Sequence, residues 1–145
     1  MSPKRIIVGI SGASGAIYGI RALEMLRDVD VETHVVVSRS AELTLRDELD
    51  LNIKDLETKC DTLHAIRNVG ATIASGSYYA MGMLIAPCSV RTLSEIVTGV
   101  TSSLLTRAAD VQLKERRPLV LMVRETPLHL GHLRSMTAAA EMGAI

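Results

Sequence analysis

Arg5-Ile-Ile-Val-Gly-Ile-Ser-Gly-Ala-Ser-Gly-Ala-Ile-Tyr-Gly19 is the stretch on which the fold turns. Its first six residues, Arg5–Ile10, form an apolar run unbroken after the arginine, as a strand buried on both faces should. Glycines and serines follow at once. Beyond them Ala16, Ile17, Ile20, Leu23 and Leu26 recur at helical spacing.

The same alternation continues along the chain. Val31–Val37, Met83–Ala86 and Leu119–Val123 read as further strands, with Pro87 ending the third of the four. Helical spacing is expected over Ala41–Leu49, Asp55–Ile66, Thr92–Val97, Leu104–Glu115 and Leu128–Met142. Strands alternating with helices imply an α/β fold, a mostly parallel sheet covered by helices on both faces. No internal repeat or low-complexity linker interrupts it, so residues 1–145 are expected to form a single domain.

Composition narrows the class. Hydrophobic residues make up 48% of the 145, while aromatics are 2% with Phe and Trp absent, so the core must be aliphatic. Lys plus Arg equals Asp plus Glu at 16 each. A neutral chain without a basic block offers no electrostatic route to nucleic acid or to an anionic membrane, and neutrality suits self-association. The start, Met1-Ser2-Pro3-Lys4-Arg5, runs into an apolar stretch too short for a signal segment, and no run is long enough to span a bilayer. Cys60 and Cys88 match no metal or redox spacing, which fits a reducing, cytoplasmic setting.

In open α/β sheets ligands bind beyond the carboxyl ends of the strands. That rule selects four loops: Ser11–Gly15, Ser38–Ser40, Pro87–Thr92 and Arg124–Pro127. Gly9, Gly12 and Gly15 have the spacing G-x-x-G-x-x-G rather than the dinucleotide fingerprint, and the following helix start favours an anion. A structural tight turn would read the same way. The second strand ends in Ser38-Arg39 where a dinucleotide fold would place an acid, which argues for a phosphate or mononucleotide. Ser89 and Thr92 fit a helix cap, and a second helix start aimed at the same crevice would strengthen an anion site. Cys88 has no histidine near it in sequence, and a buried thiol is more often inert than nucleophilic. Arg124-Glu125 follows a buried strand, where partial burial could raise the Glu125 pKa toward a proton-transfer value, or the two could form a structural ion pair. Lys114-Glu-Arg-Arg117 reads as a solvated helix end, and His129 and His132 as surface or capping residues.

Five stretches in order carry a resemblance. Gly9–Gly19, Ala86-Pro-Cys-Ser89, Arg107-Ala-Ala-Asp-Val111, Leu113–Leu121 and Arg124–Leu130, with Ala74-Ser-Gly-Ser77 besides, resemble the successive signatures of UbiX-type flavin prenyltransferases. The similarity runs over essentially all 145 residues. It implies a three-layer Rossmann- or flavodoxin-like flavoprotein, generally a homo-dodecamer built from trimers. The implied reaction moves a dimethylallyl group from dimethylallyl phosphate to N5 and C6 of reduced FMN, without a metal. The prenylated product serves UbiD-type decarboxylases in ubiquinone biosynthesis. Older descriptions of the family give the decarboxylation to UbiX itself, and a non-catalytic FMN-binding accessory subunit is the further alternative.

Carried over by motif, Gly12, Ala13, Ser14, Ser38, Ser89, Val90, Arg91, Thr92 and Arg124 resemble the flavin contacts. Ser14 and Glu125 resemble a pair relaying a proton to the leaving phosphate, Lys114 and Arg124 its cations, and Glu48 and Arg107 further polar residues of the site. Such roles suit the chemistry, because departing phosphate gathers negative charge that fixed cations and a proton donor stabilise. Two departures stand out. Ser102-Ser103 occupies the place where many relatives carry Asn-Asn or Asp-Gly. Relatives also continue past the position of Ile145 into a strand, a Pro-rich turn and a helix that supply a Tyr and a basic residue, so the family's C-terminal part is expected to be absent from this chain.

Overall fold

Strand β1 (Arg5–Ile10) is covered on both faces, as its apolar run requires: Ile7 enters one hydrophobic cluster, Val8 and Ile10 the other. β2 (Glu32–Val37) repeats the alternation, with Val36 on the first side and Val35 and Val37 on the second. The computed structural model describes residues 3–145, so Met1 and Ser2 of the leader reading lie outside the described residues. Five strands form one sheet in the order β3-β2-β1-β4-β5, every neighbouring pair parallel. The remaining strands are β3 (Thr62–His64), β4 (Met83–Cys88) and β5 (Leu119–Val123). The 3-2-1-4-5 order is the Rossmann arrangement, and it reverses direction between β1 and β4.

Helices α1 (Ala16–Arg27) and α2 (Arg39–Leu49) supply Ala16, Ile20, Leu23, Ala41 and Leu45 to the second cluster. Helices α3 (Val90–Thr98), α4 (Leu104–Lys114) and α5 (Leu130–Glu141) supply Leu93, Ile96, Leu104, Leu105, Ala108, Ala109 and Ala139 to the first. The result is three layers around an aliphatic core. No helix among the described residues is long and apolar enough to cross a membrane.

The helix expected over Asp55–Ile66 is not there. A 3₁₀ turn, Ile53–Thr58, is followed by the edge strand β3. Leu56, Cys60 and Leu63 do face the core together, which is why their spacing imitates a helix. Asp61 decides otherwise: its carboxylate accepts from Thr33 N at 2.7 Å and from Thr33 Oγ1 at 3.1 Å, fastening the segment beside β2. His34 and His64 continue the seam with a 2.9 Å ring-nitrogen hydrogen bond. Elsewhere the differences are at element ends. α2 and α3 start at Arg39 and Val90, earlier than the apolar spacing suggests, because Ser38 and Ser89 cap them. β4 runs through Pro87 to Cys88, with a register shift against β5. Ile145 lies along β5, its N–H donating to Leu119 O and its carbonyl accepting from Leu121 N.

α2 buries only Ala41 and Leu45, yet it carries two of the polar segments described below. Leu45→Ala is expected to lower unfolding stability by about 2–5 kcal/mol, the range for emptying a closed core site. Urea unfolding followed by circular dichroism measures it.

Candidate active site at the β1–β4 junction

The loops leaving β1, β2 and β4 meet at the carboxyl edge of the sheet, where strand order reverses. Gly12 is in direct contact with Ser40, and a Cβ there would collide with the serine's own Cβ. The two loops therefore share one wall. Beyond them opens a cleft of about 530 Å³, within the usual range for a small-molecule site. Three helix starts line it: Ser38–Ser40 of α2, Ser89, Arg91 and Thr92 of α3, and Ser102–Ser103 of α4. Ser38 Oγ accepts from Ala41 N at 3.1 Å, and Ser89 Oγ from Thr92 N at 3.2 Å. Ser103 and Thr106 cap α4 reciprocally. Arg39, Arg67 and Arg91 bring three positive charges and Glu95 one negative charge, with Glu95 paired to Arg91 at 3.3 Å and hydrogen-bonded to Ser102. Helix dipoles and guanidinium groups converging on one cleft make an anion site.

The α1 start behaves differently. Gly15 takes φ +102°, a left-handed conformation that suits glycine, and α1 has no cap from its own N-cap residue. Glu48, at the far end of α2, provides one: its Oε1 accepts from Gly15 N at 3.0 Å and Ala16 N at 3.2 Å. Those backbone hydrogen bonds, Gly15 foremost, lower the Glu48 pKa, with Ser14 and the Arg124 charge adding to them. The anion foreseen at the first helix start is thus the protein's own carboxylate. Arg124 lies against Gly15, its Nη1 3.4 Å from where a Cβ would stand, and its N–H donates to Cys88 O at 3.0 Å. Ser14, Glu48 and Arg124 form one polar cluster beside the cleft.

Several expectations need correction. Glu125 is exposed, its carboxylate accepting from Thr126 N at 3.0 Å, so in the isolated chain it is neither desolvated nor paired with Arg124. Lys114 ends α4 at the amino edge of the sheet, bonded to Glu115, and Arg107 is turned toward Ala74 O and Asp110. Lys114 is thus far from the carboxyl edge within one chain: the run from it re-enters the sheet where Leu119 pairs with Met83, the first residue of β4, whereas Arg107 stands in the first turn of α4 beside the cleft-lining Thr106. Val90 does not line the cleft but a separate groove, shared with Arg91, His129 and His132, and the two histidine rings cap α5 reciprocally. Cys88 is fully buried, and burial pushes its thiol up to about 12, which removes the nucleophile reading. Ile66, Arg67, Val69 and Glu95 were not foreseen as site residues. The first three follow β3, so reading Thr62–His64 as a strand would have placed them on a carboxyl-edge loop.

A parallel sheet in 3-2-1-4-5 order, with three helix starts lining a cleft at its reversal point, defines a mononucleotide-type α/β protein. The model of the Flavoprotein family matches residues 1–140. The flavin prenyltransferase UbiX of Escherichia coli K12 is 62% identical over 143 residues, 98% of this chain and 76% of that protein. The crystal structure of AnUbiX in complex with FMN and dimethylallyl pyrophosphate superposes with a TM-score of 0.97 at 44% identity, covering 99% of this chain and 77% of that one. A dodecameric FMN-dependent UbiX-like decarboxylase from Escherichia coli O157:H7 gives 0.93 at 42% identity, over 97% and 77%. The chain belongs to the UbiX flavin prenyltransferase family.

The Glu48 cap gives a pH signature. A folded-state pKa below the unfolded value stabilises at neutral pH, and that contribution disappears as pH falls through the folded pKa. Glu48→Gln is therefore expected to melt below the parent protein at pH 7. The gap should begin to narrow below the ordinary glutamate value of about 4.3 and vanish below the lower folded pKa, as thermal unfolding at several pH values would record.

Proposed function

We propose that this chain binds FMN in the β1–β4 cleft and transfers a dimethylallyl group to it from dimethylallyl phosphate. The observation that carries this reading is the convergence of capped helix starts and arginines on a cleft bordered by the Ser14–Glu48–Arg124 cluster. Ser38–Ser40 and Ser89–Thr92, with Arg39 and Arg91, suit the flavin phosphate. The backbone of Gly12 and Ala13, between cleft and cluster, would carry the ring system toward Ser14 and Arg124. Reduced FMN supplies the electron-rich N5 and C6 that accept the allyl group.

The protein's own residues manage charge and protons around that chemistry. Arg124 stabilises the negative charge that collects on the departing phosphate. Glu48 holds the Ser14 loop rigid through the α1 start, which fixes the Ser14 hydroxyl for proton transfer. Glu125 is the proton reservoir of the pair. Lys114 and Arg107, held within one chain by Glu115 and by Ala74 O and Asp110, belong to the site of a neighbouring copy, a reading supported by the dodecameric assembly of the UbiX-like relative. The product is handed to a UbiD-type decarboxylase in the cytoplasm. Two free cysteines among the described residues accord with that setting.

Anaerobic incubation with reduced FMN and dimethylallyl phosphate, analysed by mass spectrometry, is expected to yield the flavin with one added prenyl group. Glu125→Gln and Ser14→Ala should keep FMN bound and slow transfer by about 10²–10⁴-fold, the usual contribution of acid–base catalysis. Bound but unmodified FMN from the parent chain would favour an accessory subunit. Carbon dioxide released from an aromatic hydroxy acid by this protein alone would favour direct decarboxylation.

A further inference from the structure

Ser11 sits at the exact reversal of the sheet, fully buried, and its hydroxyl links the two loops that bracket the cleft. Ser11 Oγ donates to Pro87 O at 2.8 Å and accepts from Ser89 N at 2.7 Å, while Ser11 N donates to Pro87 O at 3.2 Å. Ser89 is the N-cap of α3, its own hydroxyl accepting from Thr92 N and donating to Thr92 Oγ1. One buried hydroxyl therefore sets the height of the α3 start relative to the end of β1. Cys88 lies between the two anchored residues, and its carbonyl holds Arg124 N at 3.0 Å. A shift at Ser89 would thus reach the fourth loop as well.

We propose that Ser11 is a positioning residue for flavin phosphate recognition, acting through Ser89 and the start of α3 rather than by touching the ligand. The proposal rests on the flavin reading above. A side chain that only stabilised the fold would, on removal, weaken every ligand alike or none. A side chain that aims the α3 start should matter for a phosphate-bearing ligand and not for its dephosphorylated counterpart.

Equilibrium fluorescence titrations of the whole chain with FMN and with riboflavin separate these cases, run on the parent, Ser11→Ala and Ser11→Thr. The parent is expected to prefer FMN strongly. Ser11→Ala should lose about ten- to a hundredfold in FMN affinity, the scale of a charge-assisted hydrogen bond set out of line. Its riboflavin affinity should stay within about twofold, so the preference collapses. Ser11→Thr, which keeps the hydroxyl, should retain most of the preference. An unchanged FMN-to-riboflavin ratio in Ser11→Ala, an equal loss of both ligands, or a Ser11→Thr variant as impaired as Ser11→Ala would overturn the proposal. A parent chain that binds FMN no better than riboflavin would instead remove the flavin-phosphate reading, and the role of Ser11 with it.

Discussion

The carboxylate of Glu48 on the start of α1 is the interaction around which the site is arranged. A helix start whose first residues follow a glycine-rich turn would ordinarily be the natural seat for a ligand phosphate. Here two of its N–H groups already serve an internal anion carried in from α2. That contact ties the β1 loop to α2 and holds Ser14 and Arg124 in one cluster. The starts of α2, α3 and α4 are the ones that line the cleft. On the proposed function, this separates two phosphate-binding regions: the arginine-lined cleft for the flavin phosphate and the Arg124 cluster for the phosphate that leaves.

Sheet order supplies the rest of the geometry. Because β1 and β4 are neighbours while the chain leaves them in opposite directions, their loops splay apart and leave a crevice. An aliphatic core on both faces keeps the strand ends fixed, so the crevice is built on rigid elements. Polar atoms at its floor are paired, Ser11 with Pro87 and Ser89 among them, while the thiol of Cys88 is kept protonated by burial. Lys114 and Arg107 lie against the segment from Ala74 to Gly76. Their placement makes sense if the surfaces bearing them meet a further copy, which an uncharged chain tolerates well.

Much of this was legible in the residues. Long apolar strands such as Arg5–Ile10 and Leu119–Val123 declare themselves, and the parallel arrangement follows from their alternation with helices. The four loops at the carboxyl edge could be named without coordinates. β3 could not: three half-buried residues carry too little pattern, and the real determinant is a contact between Asp61 and Thr33, distant in sequence. Arg67 and Val69 were missed as a direct consequence. The Glu48 cap was hidden for the same reason, since nothing local distinguishes that glutamate from others on an exposed helix face. Its membership of the site came from motif resemblance, and its contact with Gly15 and Ala16 only from the fold. Glu125 erred the other way, because β5 is an edge strand that leaves Val120 and Met122 exposed, so the loop after it is uncovered as well.

A crystal structure of the FMN complex decides where the flavin phosphate sits, because the α1 start stands against the paired α2 and α3 starts as its seat. The phosphate is expected between Ser38–Ser40 and Ser89–Thr92, with Glu48 still bonded to Gly15 and Ala16. A phosphate seated on the α1 start, with the Glu48 carboxylate displaced from it, would contradict the account.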